Sequence, residues 1–503
     1  MYRNKGTITV FLSLISMLFL SLFCTMAESV RVQAARFQAA AAFDMGLFSI
    51  FGEYDRVLLE EYDLWFLDGS SEEQKIREVL ETKLEKYIQP NINPRYNLAA
   101  GRSWDVFPTE LDRCTVDKYA LATDHGGQVF YSQAVENQKE LFVGEAASAL
   151  KKNIKQMEEG HQKGEEYQNE EQKADEEYQR AQAAQMEEKK RQESEKENAE
   201  KQEESDTDIK ETEAVQAKVE NPLDQIKKIK SMGILGLVLK DGTVVSDKTI
   251  ERKNLPSERN LQKGSLLVNE ISADPVSEAI FLNYLQKHFQ CAVDEGGKHQ
   301  KGSKEHSLSY ELEYIIGGQK SDRENLKKTV NRILLIREGM NYATLAKSAK
   351  MRGEAMALAA AITGAAALPE FAGALQKLLM LAWAYGESLL DVRTLLAKGK
   401  VPMLKAETEW KLPLEKLGML VEVLKECDAG GGSGQSYEDY LSGLLILGKK
   451  QHRNLRVLDL IECNRRMEKG GETFRVDALV AQEEASADFE LAPVFLRVPA
   501  VWM

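Results

Sequence analysis

The 503 residues carry 66 Lys and Arg against 80 Asp and Glu, for a formal charge of −14. Such a balance disfavours a phosphate backbone or an anionic leaflet as the principal ligand, because like charge opposes both. Five cysteines without CxxC spacing give no disulfide framework, although one or two bridges stay open to a chain outside the cell, and the length allows two or three domains of ordinary size.

Residues 1–6 form a short basic tail with Arg3 and Lys5, followed by an uncharged segment from Thr7 to Ala27. As a helix this segment spans about 31 Å, close to the thickness of a hydrocarbon core. It is longer than the apolar region of a secretory signal, although Thr25-Met26-Ala27 is a passable cleavage site. The reading is a single-pass transmembrane helix over 7–27 with the tail in the cytoplasm and the bulk of the chain outside, a cleaved signal being the alternative. Arg31 and Arg36 follow the span and nearly balance the tail, so the orientation rests on the ease of retaining a short tail.

The helical pattern continues past the span. Val30, Ala34, Phe37, Ala41, Met45, Phe48 and Phe51 recur at steps of three and four, with Arg31, Gln38 and Asp44 off the stripe. This predicts a stem helix within residues 28–62, running to about Glu60. Phe37, Met45, Phe48 and Phe51 are the expected packing residues, set either on the protein's own domain or on neighbouring chains. Alanines at 34, 35 and 39–42 allow close helix approach in both cases.

The first part of the ectodomain spans 63–152, with a helix near Glu72 to Tyr87, strands between Val106 and Leu121, and a turn at Gly126-Gly127. It holds too little sheet to stand alone and is expected to pack on later residues. From 153 to 219 the composition turns to Glu, Lys and Gln. Ile154, Met157 and His161 fit one register and Tyr167, Ala174, Tyr178 and Ala181 another, a poor coiled-coil seam. A solvated helical or disordered insert is expected there, with an arm pairing to another chain as the alternative.

The second part, 220–503, reads as α+β. Asp241-Gly242 between two apolar runs predicts a hairpin, and the alternation of "LSYELEY" from Leu308 predicts a strand. Asp274-Pro275 and the Ser321/Glu324 pair predict helix starts, Ala-rich helices follow from about Ala343 to Ala397 with a break at Pro369, and Ser436 is placed as the cap of "YEDYLSGLLIL". A helix from Asn454 to Glu468 and strands over 474–480 and 489–498 complete a mostly helical α+β chain with a small antiparallel sheet.

No residue set specifies a reaction. His288, Cys291, His299 and His306 lie within nineteen residues but fit no closed zinc pattern. "GGGSG" at 430–434 lacks a P-loop lysine. Asp391 with Arg393, or Glu438 with Asp439, have no nucleophile and positioned histidine beside them. The chain is read as no enzyme, with no catalytic, cofactor or metal residues and no cofactor.

Several blocks carry a resemblance: "KGTITVFLSL", "ESVRVQAARFQAAAAF", "EYDRVLLEEYDLWFLDG", "YELEYIIGG", "SDRENLKKTVNRILLIREGMN" and "LDLIECNRR". They resemble a family of uncharacterised membrane-anchored proteins of Gram-positive bacteria, a domain of unknown function. That resemblance implies association with tight-adherence (Tad/Flp) pilus loci and a TadE/TadG-like pseudopilin N-terminus. It also implies processing between Gly6 and Thr7, although Phe11 stands where the pseudopilin pattern has Glu. The expected function is a membrane-anchored accessory of a pilus or secretion apparatus, whose partners are assembly proteins in the membrane and not nucleic acid, a homo-oligomer being open. An anchored surface enzyme or ligand-binding domain is the alternative.

Overall fold

The computed structural model describes residues 5–71, 75–92, 108–139, 144–200, 221–268, 271–272, 274–293, 305–365, 371–427 and 431–491. They form two compact units, one of residues 1–137, 253–271 and 461–503, the other of 138–252 and 272–460.

The first unit begins with α1 (Lys5–Phe51), continuous from the apolar segment into the stem. The stem stops earlier than the sequence predicts. Gly52 begins a turn, and Asp55 caps α2 (Arg56–Tyr62) by accepting from the Val57 and Leu58 amides at 2.9 and 3.1 Å. After β1 (Leu67–Asp68), α3 (Ile76–Ile92) buries Ile76, Leu80, Leu84, Ile88 and Ile92, one residue per turn. The chain then forms β2 (Thr109–Leu121), and His125, Gly126 and Gly127 turn it through positive φ at the start of α4 (Asp124–Lys139).

The strand partner of β2 comes from the far end of the sequence. β3 (Leu479–Leu491) lies between β1 and β2 in an antiparallel sheet, pairing Leu111 with Phe489 and Val116 with Ala485. The dependence of the early segment on later residues is thus a strand pairing. The predicted strand over 474–480 begins only at Leu479, and the segment 492–498 lies outside the described residues. Ala42 and Ile50 of α1, the α3 stripe, and Cys114, Val116 and Val480 of the sheet make one core.

Two segments stitch this unit together. Arg259 forms ion pairs with Glu462 at 2.6 Å and Asp477 at 2.5 Å, and Arg465 reaches Asp55 at 2.9 Å.

The second unit is helical: α5 (Gly144–Glu200), α6 (Pro222–Ser231), α7 (Ile234–Val238), α8 (Pro275–His288), α9 (Glu311–Gly317), α10 (Asp322–Lys347), α11 (Ala349–Ala365), α12 (Ala372–Leu396), α13 (Leu420–Glu426) and α14 (Tyr437–Leu447). The chain leaves it within α15 (Lys450–Met467). Asp274, Ser321 and Ser436 cap α8, α10 and α14 as their spacing predicts.

Two strands read from the sequence are helices. Gly242 does turn the chain at φ +85°, but Ile234, Leu237 and Val238 are buried on α7, and Val244 is exposed. "ELEYIIG" is α9, with Glu311 and Glu313 wholly buried. The alternation marked two carboxylates with internal partners, not a wet face.

The charged stretch also departs from expectation. Residues 201–220 lie outside the described residues, but α5 is packed along its first half, where Asn153, Met157, Gly160, Gly164, Tyr167 and Ala174 are buried. It lies against α8, α10, α12 and α14. The Tyr167 hydroxyl donates to the Leu381 carbonyl at 3.0 Å, and a Cβ on Gly160 would stand 2.7 Å from Ile336 Cγ2. Close helix crossing through small residues, not solvation, fixes this helix.

Candidate functional site

Three features concentrate the chemistry of this chain: the stem face, a buried charge network, and an open cleft.

On the stem, Gly6 and Thr7 lie in the first turn of α1. Phe37, Met45 and Phe48 are 79%, 54% and 87% exposed, so they do not pack on their own unit. Phe51 is half-buried against the core. The face that docks consists of Ala35, Ala39, Ala42, Gly46 and Ile50, all buried. A Cβ on Gly46 would stand 2.6 Å from Ile88 Cγ1, so α1 and α3 meet almost at backbone distance. Docking in cis therefore uses small residues about 130° around the helix from the aromatic stripe.

The network lies inside the second unit. α12 is buried on nearly every side, as an all-round apolar helix must be, yet it carries Glu387, Ser388 and Asp391. The Arg337 guanidinium, wholly buried on α10, donates Nε–H and Nη2–H to Asp391 Oδ2 at 3.0 and 2.8 Å. Its Nη1 donates to the Pro402 and Met403 carbonyls, both at 2.9 Å. Asn341, one turn on, donates to Ser388 Oγ and Asp391 Oδ2 at 2.9 Å. The Lys405 ammonium lies 2.5 Å from Asp391 Oδ1 and also donates to Glu387, which accepts the Leu412 amide at 2.8 Å.

Two cations thus face two anions, and the cluster is neutral as a whole. Burial pushes the Asp391 carboxyl up, but Arg337 and Lys405 outweigh it and hold it below its ordinary range. For Glu387 burial prevails over Lys405, and its carboxyl is raised. The sequence paired Asp391 with Arg393; instead Arg393 donates to the Leu239 carbonyl at 2.8 Å behind α7. The Ser388 hydroxyl in turn donates to the Ala384 carbonyl at 2.7 Å, and the arrangement fixes α10, α12 and the segment after α12 in one geometry.

The histidine-rich segment divides likewise. His306 Nδ1 lies 2.8 Å from Glu311, whereas His288 is buried beside the Tyr284 ring, and His299 lies outside the described residues. Glu313 accepts from the Ala292 amide at 2.9 Å and the Tyr437 hydroxyl at 2.8 Å, and burial pushes its carboxyl up to about 7. None of the five cysteines is disulfide-bonded. Gly431, Gly432 and Gly434 take positive φ, and a Cβ on Gly432 would overlap the Lys400 carbonyl, so the glycine run is a turn seated on residues 400–402.

A cleft of about 680 Å³ opens between α5, α8 and α14, where Asn153, Gln156, Asn283, Gln286 and Gln435 share a largely apolar wall with Leu282 and Met403. Gln286 donates to Ser442 at 2.8 Å. Asp439, also on its wall, is engaged in capping α14 at Ser436. Sequence reading missed this cleft because its residues come from four distant segments.

Residues 212–491, more than half of the chain, match the Family of unknown function (DUF5702), and the chain belongs to that family. No curated protein and no solved structure matches it. The matched span includes the whole charge network and β3, while α1, α3, β2 and α5 precede it.

Proposed function

We propose that this chain is a membrane-anchored accessory protein of a Tad-like pilus or secretion apparatus, acting by helix packing and protein–protein contacts. The supporting observation is α1. One helix of 47 residues joins an uncharged apolar segment to a stem docked by its alanine face, while Phe37, Met45 and Phe48 point away from its own unit. An exposed row of large apolar side chains above a membrane helix suits contact with other helices. The N-terminal tail is then cytoplasmic and both units lie outside. Affinity purification of the detergent-extracted chain, followed by mass spectrometry, tests this: pilus or secretion assembly proteins should co-purify. Recovery of the chain without any of them would end the reading.

A ligand-binding domain carried on an anchor is the second reading, favoured by the open cleft, in which the buried Asn153 Oδ1 accepts no hydrogen bond. A thermal-shift screen of neutral oligosaccharides and peptides, with Asn153→Ala as control, tests it.

A further inference from the structure

The exposed stem stripe is part of a longer pattern. From Ile8 to Phe48 apolar residues follow steps of four, three and four, four 11-residue repeats without a break, the last two being Val30, Ala34, Phe37 and Ala41, Met45, Phe48. An 11-residue repeat advances about 3.67 residues per turn, the period of a right-handed supercoil. Inside the span almost any position is apolar, so the stem halves of the pattern carry the information. There Glu28, Arg31, Gln33, Arg36, Gln38 and Asp44 all fall off the seam.

We infer that this seam docks on the same seam of a second copy of the chain, in parallel, from the bilayer into the stem. The inference rests on the proposed reading of Thr7–Ala27 as a retained span. Two copies anchored in one membrane meet in register, and identical repeats then match along their whole length. The flanks agree. Gln33 and Asp44 border one side of the stem seam and Gln38 and Ser49 the other. A two-fold axis along the seam sets the first flank of one copy against the second of its partner, so Asp44 faces Gln38 and Ser49, whose donors bond the Ile92 and Met45 carbonyls of their own chain, and meets no like charge.

Lipid is a poor occupant. Phe48 stands about 31 Å of helix beyond Ala27, outside the hydrocarbon core for a helix crossing near the normal. The protein's own unit holds the helix by Ala35, Ala39, Ala42 and Gly46 on another face and, at the edge of the seam, by Gln38, whose amide donates to the Ile92 carbonyl.

The test uses the full chain in its native membrane, carrying Phe37→Cys or Phe48→Cys, under mild oxidation. Both positions are exposed, so neither substitution disturbs the core. The expected product runs at twice the monomer mass and contains only this chain, whereas Arg36→Cys, exposed but off the seam, stays monomeric. Dimer from the two seam positions no greater than from Arg36→Cys, or cross-linking to a different polypeptide, overturns the inference. Dimer without co-purifying assembly proteins would instead remove the pilus reading and leave the seam standing.

Discussion

Gly164 of α5 and Leu335 of α10 pass so closely that a Cβ on Gly164 would stand 2.8 Å from the Leu335 carbonyl oxygen. On the facing helix, a Cβ on Gly339 would overlap the backbone of Lys163 and Gly164. Both obstacles are main chain, which a rotamer change cannot relieve. Gly339→Ala and Gly164→Ala are therefore each expected to destabilise the second unit by about 2–3 kcal/mol, the upper part of the range for overpacked sites. Urea-denaturation midpoints of the detergent-extracted chain check this, with Gly353→Ala, which meets nothing within 4 Å, as the control.

The same crossing explains why half of the charged stretch was illegible in the sequence. Asn153, Met157, Gly160, Gly164, Tyr167, Glu171 and Ala174 follow a single run of alternating four- and three-residue steps. Counting only large apolar residues breaks that run into two registers, because glycine buries backbone and contributes no side chain to the count. Glu311 and Glu313 misled in the opposite sense: buried polar residues imitated the wet face of a strand. Capping residues were legible because their partners lie two or three residues away. The charge network was not, since Arg337, Asp391 and Lys405 meet only through the packing of α10 on α12.

Breaking that network from one side should be severe. Arg337→Met leaves Asp391 buried without its guanidinium, a loss of about 3–5 kcal/mol. Removing both charges in Arg337→Met/Asp391→Leu keeps the Lys405–Glu387 pair and should recover most of that loss. Denaturation of the two variants side by side decides it. A double variant as unstable as the single one would mean that the charges do more than compensate each other.

Glu338 supplies a pH dependence. It is buried on α10, and burial pushes its carboxyl from 4.5 up to about 8, with Lys230 opposing and Glu171 adding to the rise. The unfolded chain releases this proton near 4.5 and the folded chain holds it, so the stability contribution is complete below 4.5 and declines as pH rises to about 8. Glu338→Gln should remove that decline and leave the variant about 1–3 kcal/mol more stable than the parent at pH 8. Equal midpoints for variant and parent at both pH 5 and pH 8 would remove Glu338 from the account.

Topology can be read at a single exposed position. Val244 is 90% exposed, so Val244→Cys offers a reactive thiol without touching the core. On the proposed topology, with the tail inside and both units outside, a membrane-impermeant maleimide should label it in intact wall-stripped cells above the level set by the parent chain's own free cysteines. Labelling only after permeabilisation would reverse the orientation.

The two faces of the stem should fail in different ways. Gly46→Val drives a branched side chain into Ile88, where even a Cβ would stand at 2.6 Å, and should loosen α1 from α3 at a cost of about 1–3 kcal/mol. Phe48→Asp places a charge on a side chain position that is 87% exposed, so the folded unit should keep its denaturation midpoint. Membrane insertion should persist in both, because the span is unchanged. If the aromatic stripe is a contact surface, Phe48→Asp alone should abolish recovery of partners, since an unpaired charge buried in that contact is strongly unfavourable. If partner recovery instead follows Gly46→Val and ignores Phe48→Asp, the docked alanine face is the part that matters, and the aromatic stripe is only the outer side of a spacer.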